Sequence, residues 1–419
     1  MPFFNSAYRT ETRSSVSDEA QSTAVTKWIE PDNALTLRMI DTIEELDRHE
    51  LAWRELFEIH ASTHQMFQSF AWTRTWATYY LNQRRFDALA LAIVVVWSGN
   101  RLVLVLPLAV YRFSGLRILR CLGAPVSQYG DALVDRTVVD DVTVCRALSL
   151  AIEQTQCDVV DLRKVRHDAE IRPALEALGA VVVHRAQAPF VDLAQAVDRE
   201  GYWKWFSGQA RKQRRKRRRQ LAEIGPLKFA TLEAGCCAAI EARQAIAMKR
   251  KALSASGRLS LIVHDDRFEQ FFVDLARVCD RGAQVRVSIL SCGDHVIARE
   301  IGIVCKRGYA AHVGVFDPEY ARFAPGRLQI DDKIEHCLEE GLLTFDFLAP
   351  EDDYKWEFAD AAVPVLDYAL VVTTRGAMFD RLVVRGALPL VRSMKNVLPS
   401  LRPKVVAAHL YSALRLGKA

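Results

Sequence analysis

The order of elements along the chain predicts an α/β protein made by duplication, with one mixed sheet carrying helices on both faces and occurring twice in tandem. Two observations predict it. Residues 227–372 read as β-α-α-β-β-β-α-β-(α)-β, and residues 35–186 run through nearly the same order. A third observation separates the copies: only the second has a helix that starts without a capping side chain.

The elements follow from local pattern. Residues 1–33 are rich in Ser, Thr and charge, lack the apolar core of a signal peptide, and read as a disordered tail. The first copy, residues 34–198, opens on the strand "LTLRMI" and continues with helices near 42–59 and 68–82. Strands follow at 89–97 and 102–111, parted by the turn Ser98-Gly99-Asn100-Arg101. Then come a short strand near "GDALV", a helix at 139–155, the strand "CDVVDL", a helix near 168–178 and the strand "AVVVHRA". The second copy, residues 199–375, begins with a basic linker helix over 203–223. The strand "LKFATLE", helices near 236–254 and 266–281, and a meander of "VRVSIL", "HVIAREIGIV" and "YAAHVGVF" follow. Next are the helix of "APGRLQIDDKIEHCLEEG", the strand "LLTFDFL" and the strand "VPVLDYALVV". Residues 376–419 alternate apolar and basic residues and read as a helical tail suited to a surface, with prolines keeping any one helix short.

Charge is distributed unevenly. The net charge is +5, yet "RKQRRKRRR" at 211–219 and the acid-free segment 381–419 each contribute +8, so the rest of the chain carries −11. Positive charge is therefore local, and an anionic membrane surface or polyanion would meet the two appendages first. No apolar run reaches the ~18 residues of a membrane helix. Nine cysteines without CxxC or zinc spacing, and no HExxH, predict reduced thiols, a cytoplasmic location and no metal.

The second-copy helix begins at Pro325-Gly326-Arg327 with no Ser, Thr, Asp or Asn before it. An uncapped start leaves backbone N–H groups at the positive end of the helix dipole, where an anion is favoured. The equivalent helix of the first copy is entered through Asp135, Asp140 and Asp141, which repel a phosphate. If one copy holds an anionic cofactor, the pattern selects the second.

Six segments carry a resemblance to a known family: "FQSFAWTRTW", "LGAPVSQYGD", "DVVDLRKV", the basic stretch before "GPLKF", "FDPEYARFAPGRL" and "FDFLAPEDDYKWEF". Over residues 35–375 the chain resembles the CelD/BcsL-like acetyltransferases, a double-GNAT group related to the FemAB-like peptidyltransferases. Where relatives commonly carry Gly or Arg in one loop, this chain has Ala349-Pro350. The resemblance implies two tandem GNAT-like domains, the first degenerate. Acetyl-CoA or another acyl-CoA would lie between "YAAHVGVF" and "LLTFDFL". Val313, Gly314 and Val315 would pair with its pantetheine arm, and Gly326, Arg327 and Leu328 would meet its phosphates. By the same resemblance Tyr354 is the acid that protonates the leaving thiolate, Lys355 steadies negative charge, and Asp346 or His312 is the base. Each has a structural alternative: a packed Tyr, a solvated Lys, a loop-holding Asp and a core His. The implied activity is acyl transfer to an amine or hydroxyl of a saccharide acceptor in exopolysaccharide or cellulose biosynthesis, with the enzyme peripheral at the inner membrane face. Two alternatives stay open: FemAB-like transfer from aminoacyl-tRNA, and a non-catalytic partner of a polysaccharide synthase.

Overall fold

The computed structural model describes residues 26–29, 34–84, 87–196, 198–279 and 282–379. The first half contains β1 (Thr26–Ile29), β2 (Ala34–Ile40), α1 (Ile43–Arg48), α2 (Glu50–His60) and α3 (Phe70–Tyr80). These are followed by β3 (Ala88–Leu91), β4 (Ile93–Ser98), β5 (Arg101–Leu106), β6 (Leu108–Phe113), β7 (Leu116–Cys121), β8 (Leu133–Val134), α4 (Asp141–Thr155), β9 (Val159–Arg166), α5 (Arg172–Ala177) and β10 (Val181–Asp192). Three helices link the halves: α6 (Leu193–Ala196), α7 (Arg199–Lys204) and α8 (Gly208–Ala222). The second half contains β11 (Leu227–Leu232), α9 (Cys236–Ala255), α10 (Asp266–Leu275), β12 (Ala283–Cys292), β13 (His295–Cys305) and β14 (Gly308–Phe316). It ends with α11 (Pro325–Glu339), β15 (Thr344–Asp346), β16 (Ala361–Val371) and α12 (Thr374–Phe379).

The expected order recurs in both halves, with corrections that have local causes. Residues 26–29 of the expected disordered tail form β1, antiparallel to β2. The first long helix breaks at His49, which serves as C-cap of α1 and N-cap of α2. One expected strand divides at Pro107, because proline cannot donate to a ladder. Its two parts enter different sheets, β5 beside β4 and β6 beside β7. The expected tail beyond residue 379 lies outside the described residues.

Both halves contribute to one sheet, ordered β11-β12-β13-β14-β15-β10-β16-β9-β7-β6-β3. Each half's last strand crosses to the other: β10 of the first half pairs with β15 of the second, and β16 of the second pairs with β9 of the first. The exchanged strands also pair with each other from Val181↔Ala369 to Phe190↔Ala361. The boundary at 198/199 is thus one of chain order, and the sheet runs through it. A shared apolar cluster under this sheet joins Trp72 and Trp76 of α3 to Phe268, Phe271 and Phe272 of α10.

The basic run does not simply face water. Arg214, 8% exposed, donates through Nε to Asp331 Oδ2 (3.0 Å) and lies over the rings of Phe206 and Phe358. Arg218 pairs with Asp332 at 2.7 Å. α8 therefore docks on α11, while Lys212, Arg215, Lys216 and Arg219 remain exposed. Asp331, Asp332, Lys333 and Glu335 are charged side chains of α11, yet Asp331 and Lys333 are fully buried and Glu335 nearly so. Opposite charge on α7 and α8 is what allows the acids to be covered: Arg199 and the Trp203 indole both reach Glu335.

Candidate functional site

The site grows from a mismatch between two strands. β14 runs parallel to β15 only through Gly308↔Thr344, Tyr309↔Phe345 and Ala310↔Asp346. Against its other neighbour, β13, the register jumps from Gly302↔Ala311 to Ile301↔Val313, so His312 is the extra residue of a β-bulge. A bulge bends its strand. Past it, Val313, Gly314, Val315 and Phe316 continue along β13 with no strand paired on the β15 side among the described residues. α11 starts beside this free edge: a Cβ built on Gly326 would lie 3.2 Å from Phe316 Cδ1.

The start of α11 is uncapped, as its sequence predicts. Its N-cap, Ala324, makes no side-chain hydrogen bond and sits in the left-handed region (φ 50°, ψ 55°), an uncommon conformation for a residue with a Cβ. The start of α4 is closed by contrast: Asp140 accepts from the Thr143 N–H at 2.8 Å, and Asp141 pairs with Arg136. Not every expected donor at α11 is free, however. The Arg327 and Leu328 N–H groups turn to Ala324 O at 3.1 and 3.3 Å, which leaves the Gly326 N–H. The Leu328 side chain is in the core. The Arg327 guanidinium grips Glu357 through both oxygens (2.5 and 2.7 Å) rather than standing open. Gly314 O, expected to meet a pantetheine arm, accepts from Lys249 Nζ at 2.8 Å.

The four candidate catalytic residues separate sharply. Tyr354 is 41% exposed, and its hydroxyl makes no hydrogen bond among the described residues. Desolvation and nearby acids push its pKa up to about 12, so it stays a proton donor at neutral pH. Lys355 is instead buried and spends its ammonium on Leu348 O (2.9 Å) and Pro350 O (2.6 Å), tying down the loop after β15. Asp346 is buried too. It accepts from the Tyr129 hydroxyl, from Arg166 Nη1 (3.2 Å) and from the Leu348 N–H (2.7 Å), so its lone pairs hold two halves and a loop together. His312 donates Nε2–H to Val126 O at 2.7 Å, which makes Nδ1 the bare nitrogen, and that atom is buried without a partner among the described residues. Aromatic rings of Phe67, Trp72 and Phe272 surround the imidazole, and burial drives its pKa down to about 4. Tyr354 thus presents a protonated, partly exposed phenol, while Lys355 and Asp346 spend their polar atoms on protein partners. His312 is a neutral imidazole at the bulge.

The residues that position this cluster come from the first half, and their roles were not read from the sequence. "LGAPVSQYGD" supplies Val126 O, Gln128 and Tyr129; "DVVDLRKV" supplies Lys164, and Arg166 follows it. The signal was present in the two motifs, but nothing local says that they cross to the other half.

Under α11 lies a further buried polar group. Glu300 accepts from the Tyr309 hydroxyl at 3.0 Å and from Ser288 Oγ at 3.4 Å, with Lys333 as the nearby cation. Burial raises its pKa from 4.5 to about 7. A raised carboxyl pKa contributes stability that is complete below pH 4.5 and is lost as pH rises through 7. At ~1.4 kcal/mol per pH unit between those values, the loss is about 3 kcal/mol by pH 8. Glu300→Gln is therefore expected to gain on the wild type as pH rises from 5 to 8. Urea unfolding at the two pH values checks this, and a constant difference contradicts it.

No helix among the described residues is long and apolar enough to cross a membrane, and no group of His, Cys, Asp and Glu there is arranged to hold a metal ion.

Comparison with known proteins matches residues 208–356 to the model of the acetyltransferase (GNAT) domain family. That span contains β14, α11, β15 and all the candidate residues named for the second half. No curated protein sequence matches the chain. Among solved structures, the crystal structure of FemX superposes with a TM-score of 0.56 at 10% identity, covering 82% of this chain and 98% of that one. The C-terminal domain of a putative lysylphosphatidylglycerol synthetase from Agrobacterium fabrum does so with a TM-score of 0.51 at 11% identity, covering 80% and 94%. At these identities the likeness is one of fold. The fold is that of two tandem GNAT-like domains, and the acetyltransferase sequence match lies in the second.

Proposed function

We propose that the protein is an acyltransferase that takes an acyl group from acyl-CoA bound between β14 and β15 and passes it to an amine or hydroxyl. The observation that carries this is the free edge of β14 beyond the His312 bulge, lying against the uncapped, glycine-containing start of α11. The edge offers backbone groups to an amide-bearing arm, and the helix start offers positive potential to a pyrophosphate. Tyr354 supplies a proton to the departing thiolate. His312 Nδ1 is a neutral acceptor too weakly basic to hold a proton itself. The motif resemblance directs the choice of acceptor to saccharide precursors of exopolysaccharide or cellulose. The cationic segment 381–419 serves attachment to an anionic membrane surface.

Calorimetric titration with acetyl-CoA tests the donor. Saturable binding at one site, with slow release of free thiol from acetyl-CoA, is the expected result. Absence of binding removes the reading. A second reading, transfer from aminoacyl-tRNA, is favoured by the exposed cations of α8. Binding of tRNA that Lys212→Glu/Lys216→Glu abolishes would select it.

Arg327 gives a further expectation. Glu357 occupies the fork that a phosphate would take, so Glu357→Gln is expected to tighten acetyl-CoA binding about tenfold. Equal affinity would mean that Arg327 does not meet the phosphates.

A further inference from the structure

Helix α9 meets the sheet along a stripe of small apolar residues, and Ala238, Ala242 and Ala245 on that stripe are all buried. The next position at the same helical spacing, four residues past Ala245, is Lys249. A cation thus stands where the pattern calls for a core residue. α9 lies against β14. From there the Lys249 side chain reaches the edge of that strand, and its Nζ donates to Gly314 O at 2.8 Å.

Gly314 belongs to the stretch of β14 that has lost its neighbour on the β15 side. It lies two residues, about 7 Å, from His312 at the bulge. A lysine's flexible four-carbon stem can sweep much of that distance. Lys249 is half-buried and makes no ion pair among the described residues. Burial holds its pKa below the ordinary lysine value, with Asp352 acting in the opposite direction. A desolvated lysine gives up its proton more easily and is the better nucleophile for it. Lys355 differs: it is buried, and its Nζ is shared between Leu348 O and Pro350 O.

We propose that Lys249 is itself an acyl acceptor, taking the acyl group of acyl-CoA bound along β14 and becoming an N-acyl-lysine. This rests on the acyltransferase reading. An arm of acyl-CoA that pairs with Gly314 O displaces Lys249 Nζ and leaves the amine beside the arm. The neutral amine attacks the thioester carbonyl carbon. The N–C bond forms, the C–S bond breaks, and the electron pair leaves on sulfur. Nitrogen gives up one proton and sulfur takes up one, so the products are acyl-Lys249 and the free thiol of CoA. An amide does not readily hand its acyl group on. The modification is therefore a lasting mark, and it removes the positive charge that α9 sends to the edge.

Incubation of the full chain with acetyl-CoA, followed by peptide mass spectrometry, tests this. Acetylation at Lys249 is expected to run at least about tenfold faster than at exposed Lys228, because a bound donor has a high effective concentration. Excess unacylated CoA should suppress the label at Lys249 and leave that at Lys228 unchanged. Lys249→Arg, which keeps a donor for Gly314 O, should lose the mark and still bind acetyl-CoA in calorimetry. If acetyl-CoA binds but Lys249 is labelled no faster than Lys228, the proposal is overturned while the acyltransferase reading stands, and Lys249 only tethers α9 to β14. A label at Lys249 that excess CoA does not suppress comes from free acetyl-CoA and overturns it as well. Absence of acetyl-CoA binding in calorimetry removes the reading and the proposal together.

Discussion

Gly326→Asp is expected to weaken acetyl-CoA binding about a hundredfold while leaving the protein folded. A Cβ at this position fills the narrow gap between the first turn of α11 and Phe316. Its carboxylate then lies beside the free Gly326 N–H and repels phosphate where the helix dipole had favoured it. Losing one or two charge-assisted hydrogen bonds at ~1.5–3 kcal/mol each accounts for the size of the effect. An acidic residue in the first turn is favourable to the helix itself, so unfolding is not the expected route to lost binding. Gly326→Ala, which adds the methyl without the charge, should lose several-fold less. Calorimetry and thermal melting of both variants check this, and unchanged affinity in folded Gly326→Asp would refute the phosphate site.

The largest effect on stability is expected at Arg214→Ala. Its guanidinium is nearly buried between two aromatic rings and bonded to Asp331, which has no exposed surface. Removing one partner of a buried ion pair leaves the other uncompensated, at a cost of about 3–5 kcal/mol. Burial already raises Asp331 to about 7, so protonation sets a ceiling on the loss. The double change Arg214→Met/Asp331→Leu removes both charges and should recover most of it. Urea unfolding of the three proteins measures the pattern. If Arg214→Ala costs less than about 1 kcal/mol, α8 is a solvated helix and its docking on α11 contributes little.

Element type was readable because strands such as "HVIAREIGIV" are β-branched and apolar, and because helices such as α11 repeat apolar residues at helical spacing. The uncapped start of α11 was readable for a related reason: capping depends on a few adjacent residues. What escaped was non-local. Asp331 looks solvated within its own helix, and only the arginines of α8, more than a hundred residues earlier, make its burial affordable. Arg327 looks free until Glu357 is placed beside it. Lys355 reads as a cleft cation, yet the chain folds back so that Leu348 and Pro350 claim it. Lys164, Gln128 and Tyr129 sit in motifs that the sequence marks, but their meeting with His312 and Asp346 depends on the exchange of β10 and β16 between halves. No period or spacing records that exchange.

One acyl-CoA is proposed to bind along the free edge of β14 and the start of α11. Hydrogen–deuterium exchange with and without saturating acetyl-CoA tests it most directly. Slower exchange is expected at residues 313–316 and 326–328, with no change at residues 138–144, where Asp140 already caps the equivalent helix of the first half. Protection at residues 138–144, or unchanged exchange at both places, would contradict it.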